Sequence, residues 1–427
     1  MTKISQLKNG LNFINIPMPG TKAVTVLVLF PVGSRFENPK LSGASHFVEH
    51  MMFKGTKKRP DYLMISRELD AVGADYNAFT YKDYTGYYVK VDSSKANLAF
   101  DLLSDIVFNS TIDVAEVEKE KGVIVEELRM YEDNPTMAVD QLFDAVMFGG
   151  HPLGCDIGGT ADTVRGLTRE ELWDYYKKYY SPGNAVLVVA GNLESKKLKK
   201  LLGKFSDIPG KKKDNVWSKY ERFAWAKKSL PLAERVRVQT RKLDQAHLIM
   251  GFPGLAYKDR KTYAAAVMLT ILGGGMSSRL FVEVREKRGL AYMVRASMGS
   301  FSDCGAVQVQ AGLDPARLEE ALLTIQSEIK KLTKEEVSVR ELENAKNNLI
   351  GRLALALEES NIQAERAAKQ FWFLPRIEDF NETKKKIRAV TIKQVQQIAK
   401  ELFDFTEMRL AVIGPLEQEK VIKMLKK

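Results

Sequence analysis

The sequence predicts an α+β protein of two homologous domains, each a largely antiparallel sheet with helices packed on it. Two pairs of passages and the chain length carry that expectation. Leu167-Thr168-Arg169-Glu170-Glu171-Leu172 leads through a helical pattern into a strand-like stretch at 184–190, closed by Gly191-Asn192-Leu193. Val390-Thr391-Ile392-Lys393-Gln394-Val395 leads in the same way into 408–413, closed by Gly414-Pro415-Leu416. The run from Leu69 to Tyr76 aligns with Val284 to Tyr292, allowing one residue of slippage, with Gly73 over Gly289. Both are followed by a strand pair and a long helix, so one plan of about two hundred residues is used twice. At 427 residues the chain also exceeds what one core ordinarily organises. The expected division is 1–210, a linker at 211–230 opened by the Pro-Gly and lysine-rich stretch Pro209–Lys213, and 231–427.

Taken in order, the first half reads as strand 11–17, a turn at Pro19-Gly20, strand 23–31 and a loop over 32–39. A short helix around 45–53 follows, then a helix at 64–72 that stops at Gly73, as a C-terminal glycine should. Residues 77–80 and 85–91 alternate like two antiparallel strands turning at Tyr81-Lys82-Asp83. Helical patterns cover 95–109 and 114–131; Asn134-Pro135 breaks the second, and another helix covers 137–148.

Composition narrows the function classes. With 45% hydrophobic and 28% charged residues the chain has the make-up of a globular protein. The longest strongly apolar piece, 23–32, is interrupted by Pro31, so no membrane span is expected. The first residues hold no apolar stretch of signal-peptide length, and the two cysteines stand far apart, so a cytoplasmic, reducing location is expected. The net charge of +11 does not read as a nucleic-acid footprint. Lysines alternate with acids, as in Glu116 to Lys121, and Lys211-Lys212-Lys213 has no aromatic platform beside it.

The chemistry concentrates in Ser45-His46-Phe47-Val48-Glu49-His50-Met51-Met52-Phe53, which holds two of the chain's four histidines. On a helix His46 and His50 sit at i and i+4 on one face, where two imidazoles can share a tetrahedral metal ion such as zinc. Glu49 lies near enough to touch a metal-bound water without ligating the metal. The bland alternative is an amphipathic helix with two polar-face histidines. The second half carries Leu272-Gly273-Gly274-Gly275-Met276-Ser277-Ser278-Arg279-Leu280 at the corresponding place. That run lacks the Gly-Lys-Ser/Thr of a phosphate loop. One metal per chain is therefore expected.

Catalytic zinc takes three protein ligands and keeps a position for water. The candidate helix for the third carries Glu116, Glu118, Glu120, Glu126 and Glu127. Glu120 and Glu127, seven apart, share a face with Val123 and Ile124 and would point partly toward the core, where a carboxylate needs a cation. Spacing leaves Glu126 and Glu127 both open.

With these motifs together, the sequence resembles the M16 family of zinc metallopeptidases, the inverzincins, over essentially its whole length. His46-Phe47-Val48-Glu49-His50 matches the inverted motif, and Glu120-Lys121-Gly122-Val123-Ile124-Val125-Glu126-Glu127-Leu128 matches the downstream helix. The resemblance implies Glu127 as third ligand and Glu120 as an acid that orients a ligating histidine. Asn77-Ala78-Phe79-Thr80 through Thr85 matches the strand pair beside the metal, where a peptide substrate would bind as an added strand. Asp83 stands where the family usually has Glu. Arg285 and Tyr292 match an Arg/Tyr pair of the second domain. The implied function is a zinc endopeptidase acting on unstructured peptides, with Glu49 as general base. The family's half-clamshell plan implies a homodimer enclosing a chamber. A heterodimer, with the chain as a catalytic subunit needing a different partner, or a non-catalytic core-type scaffold, are the alternatives.

Overall fold

A computed structural model describes residues 3–210, 219–225 and 230–426. Strands β1 (Lys3–Gln6), β2 (Asn12–Pro17), β3 (Ala23–Phe30), β4 (Asp75–Thr80), β5 (Thr85–Asp92) and β6 (Val186–Gly191) form one sheet. Its strand order is β1-β2-β6-β3-β5-β4. Strands β7 (Val236–Thr240), β8 (Ala246–Gly254), β9 (Ala291–Ser300), β10 (Gly305–Leu313) and β11 (Arg409–Gly414) form the other, in the order β7-β11-β8-β10-β9. With β1 set aside the two orders coincide. Only β2 with β6 and β7 with β11 run parallel; the other pairs are antiparallel. The duplicated α+β plan is present in both halves.

Among the described residues the chain falls into two compact units that are not consecutive in sequence. One comprises Met1–Arg129, Cys155–Glu221 and Leu355–Ile377; the other comprises Met130–Gly154, Arg222–Ala354 and Glu378–Lys427. Of the expected linker at 211–230, residues 211–218 and 226–229 lie outside the described residues, and with them the Lys211–Lys213 cluster.

The helices explain the interleaving. In the first unit Val24, Val26, Val28 and Phe30 of β3 face one core with the helix Ala96–Asn109, while Leu27 and Leu29 face a second core. That second face is covered by Ala364, Ala367 and Ala368 of the helix Ser360–Phe373, which comes from the far half of the chain. Thr25 Oγ1 and Ser360 Oγ, both buried, hydrogen-bond at 2.8 Å where that helix begins. The other unit mirrors this. Leu248, Met250 and Phe252 of β8 face the main core, and Ile249 packs under Val139 and Phe143 of the helix Pro135–Phe148, taken from the first half. Alternating strand residues need cover on both faces, and each half supplies the second cover for the other's sheet. Gly251 makes the fit possible, because a Cβ there would meet the Phe143 ring at 2.2 Å. No helix among the described residues is long and apolar enough to cross a membrane.

Candidate metal centre

The histidine helix, Ala44–Met51, buries Ala44, Ser45, Phe47, Val48 and Met51 and turns His46, Glu49 and His50 the other way. Two turns are too short to hold by propensity, so packing of the apolar face keeps this segment helical. It begins at Gly43, where only glycine is tolerated: φ is +94°, and a Cβ would lie 2.5 Å from the Gly158 carbonyl oxygen. The glutamate helix, Val114–Asp133, starts at Asp113, whose side chain accepts from the amides of Ala115 and Glu116. Val117, Glu120, Ile124 and Val125 define its buried face.

That rotation decides what spacing left open. Glu126 is exposed and pairs with Arg129 at 2.5 Å, whereas Glu127 meets both histidines. Glu127 Oε2 lies 3.3 Å from His50 Nε2 and Oε1 lies 3.7 Å from His46 Nε2. One corrected detail is Val123, expected to share the inward face but 52% exposed; Ile124, one position on, is the buried residue. A 100° step per residue separates them, and Val117 to Ile124, two turns apart, marks the inward line.

The three groups fit a small divalent cation. A donor atom from each of His46, His50 and Glu127 lies within 4.8 Å of the others. The 3.3 and 3.7 Å separations are close to the ~3.4 Å edge of a tetrahedron of N and O ligands about zinc. His50 turns Nε2 to this point because Nδ1 is engaged by Glu120 Oε1 at 2.8 Å, the carboxylate–histidine pairing typical of a metal ligand. Glu120 is itself buried and also paired with Lys54 Nζ at 2.5 Å. Burial lowers the His50 pKa, but Glu120 and Glu127 outweigh it and bring it up to about 9. Burial and the neighbouring His50 push His46 down to about 4. Two carboxylates thus concentrate negative potential on a point that both imidazoles face.

Glu49 lies on the same helix face. Its Oε2 accepts a 2.5 Å hydrogen bond from Thr80 Oγ1, at the end of β4. Burial raises the Glu49 carboxyl above its ordinary value, with Thr80 and His50 opposing. Asn77, Ala78, Phe79 and Thr80 all lie on β4, an edge of the first sheet, paired with β5 on one side only among the described residues. Asp83 is buried and faces Arg35 at 3.3 Å.

Arg285 and Tyr292 belong to the second unit and are brought together there. Arg285 rises from a π-helical turn, Phe281–Glu286, donates from Nη1 to the Tyr292 carbonyl at 2.6 Å and lies 4.9 Å over its ring. Tyr292 is 77% exposed at the start of the edge strand β9. Sequence reasoning passed over Lys54 and Glu37. Lys54 stands four residues beyond His50, a spacing that could have placed it beside Glu120. Glu37 sits in a loop, where no periodicity points to it.

Comparisons with known proteins point to one family. A family model described as Insulinase (Peptidase family M16) matches residues 14–161, and one described as Peptidase M16 inactive domain matches 166–349. The second description fits a half without His-x-x-Glu-His. An uncharacterized zinc protease of Streptomyces coelicolor is 37% identical over 418 residues, covering 98% of this chain and 90% of that protein. The uncharacterized zinc protease YmxG of Bacillus subtilis is 36% identical, covering 97% of this chain and 98% of its own. The crystal structure of a protease from Helicobacter pylori shares the fold, with a TM-score of 0.86, 24% identity, and coverage of 97% and 99% of the two chains.

Proposed function

The chain belongs to the M16 family of peptidases, and from that premise we propose that it is a zinc-dependent endopeptidase of unstructured peptides. The convergence of His46, His50 and Glu127, with Glu49 beside them, carries the reading. Zinc held by these three ligands supplies Lewis acidity toward water and toward a peptide carbonyl. Glu49 takes a proton from the attacking water as hydroxide adds to the carbonyl carbon, then delivers it to the amine as the C–N bond breaks. Its burial makes it a stronger base than an exposed carboxylate, and Thr80 keeps it aimed. Glu120 holds His50 in the tautomer and orientation a ligand requires. The open edge of β4 offers backbone groups to an extended peptide, reading main chain more than side chains.

Arg285 and Tyr292 are the proposed hydrogen-bond donors to substrate carbonyls and the developing oxyanion. We place them opposite a metal centre in a homodimer, each site drawing on the pair from the partner chain. Both motifs are present in one chain, which favours a homodimer over a heterodimer or a scaffold role. The decisive experiment is cleavage of an unstructured peptide library with and without a chelator. Cleavage is expected to stop on chelation and return with zinc; cleavage that persists without metal overturns the mechanism. Mixing inactive Glu49→Gln with inactive Arg285→Ala protein tests sharing. Activity in the mixture alone supports sites built across a homodimer, and none in the mixture sinks it.

A further inference from the structure

Glu37 belongs to no motif of the proposed mechanism, yet it is a buried carboxylate at the start of the histidine helix. The helix has no cap of its own, since Gly43 occupies the N-cap and has no side chain to accept a bond. Glu37 reaches over from the preceding loop and takes that role. Its Oε2 accepts from the Gly43 amide at 2.8 Å and its Oε1 from the Ser45 amide at 2.6 Å. A planar carboxylate bridging two amides two positions apart leaves the first turn no rotational freedom, and its charge complements the helix N-terminus. His46 is the next residue after Ser45. Two more contacts bear on the same turn: Ser45 Oγ meets Tyr175 Oη at 2.7 Å, and the Gly158–Gly159 backbone closes against Gly43.

Burial pushes the Glu37 carboxyl up to about 7, against its bonds to Ser45 and Gly43 and the charge of Lys82. A carboxyl group offers two oxygens, one to each amide, where a glutamine has one acceptor oxygen and a serine a single short hydroxyl.

We propose that Glu37 is a positioning residue for the metal centre: by bridging Gly43 and Ser45 it sets the rotation of the eight-residue helix that aims His46, Glu49 and His50. This rests on reading His46, His50 and Glu127 as the zinc site, and the test separates the two. Glu37→Gln keeps the size and one acceptor oxygen but turns an NH2 toward an amide. Its zinc dissociation constant is expected to rise about tenfold, the low end for groups that orient metal ligands. The d–d absorption of the Co2+-loaded protein is expected to change with it. The control is Asp92→Ala, which removes the side-chain cap of the turn Ser93–Lys95 that leads into the helix Ala96–Asn109 in the same unit. It is expected to lower thermal stability with zinc affinity and Co2+ spectrum unchanged, which separates aim from general loosening.

Unaltered zinc affinity and Co2+ spectrum in folded Glu37→Gln overturn the proposal. Should that variant not fold, Glu37→Asp, too short to bridge both amides, is read in the same way. A wild type whose zinc uptake is indifferent to His46→Ala overturns the site assignment first, and the role of Glu37 with it.

Discussion

In the proposed mechanism Glu49 carries the heaviest demand of any single residue, since it must be basic enough to take a proton and must not occupy the metal. Its carboxyl is raised by burial and tethered by Thr80, and both effects can be removed separately. Glu49→Gln keeps the shape without the base; turnover is expected to fall about 10²–10⁴-fold with zinc content intact, measured by peptide hydrolysis and metal analysis. In Thr80→Val, kcat should drop roughly tenfold at unchanged KM, and Thr80→Ser should restore most of it. Equal kcat in Thr80→Val and wild type would remove Thr80 from the support of the base. Glu120→Gln leaves His50 Nδ1 facing an amide and Lys54 without its carboxylate. Zinc affinity should weaken about 10–100-fold in a competition titration. The histidines and Glu49 are legible in sequence because helical spacing alone puts them on one face. Glu37 is not, and the bond from Thr80 to Glu49 is not either, although the strand that carries Thr80 is, because each acts across a tertiary contact that no local period encodes.

For whole elements, the strands and helices read from pattern recur in the structure with ends moved by one or two residues. The expected strand 23–31 ends at Phe30, and the helix expected at 64–72 runs Tyr62–Asp70. Asp61 explains the second shift, since its side chain accepts from the Met64 amide and starts the helix earlier. Pattern could not reveal which sheet a helix covers. Pro135–Phe148 and Ser360–Phe373 each pack on strands from the opposite half of the sequence. Their apolar stripes say that they are buried but not against what. Gly251→Ala tests the first packing. A methyl directed into the ring of Phe143, itself 2% exposed, is expected to destabilise the second unit by about 1–3 kcal/mol in denaturant unfolding. A neutral effect would mean that the ring has room to move.

At the scale of the whole molecule, charges of opposite sign gather into local networks. In the first unit Asp101 accepts from Lys204 and Arg59 at 2.7 Å each and from Lys58, while Arg59 also bonds Glu68 and Asp105. Burial would raise the Asp101 carboxyl, but these cations hold it well below the usual carboxylate range. A depressed folded-state pKa stabilises the fold above the unfolded value near 3.8, and that contribution is lost as pH falls. Asp101→Asn should therefore be less stable than wild type at neutral pH, and the gap should close on acidification below about pH 4. A gap independent of pH would show that the loss is one of packing.

By itself the sequence determined the α+β class, the duplication, the two histidines and their acid, and the confinement of that motif to one half. All of these depend on local spacing or on self-similarity. The tertiary structure decided between Glu126 and Glu127, because the burial of Val117, Ile124 and Val125 sets the rotation of their helix. It placed Glu37 at the head of the histidine helix and Thr80 against Glu49. It also gave each sheet a covering helix from the other half of the chain. These depend on contacts between residues far apart in sequence, where the free energy lies in packing and desolvation and leaves no mark on the local pattern.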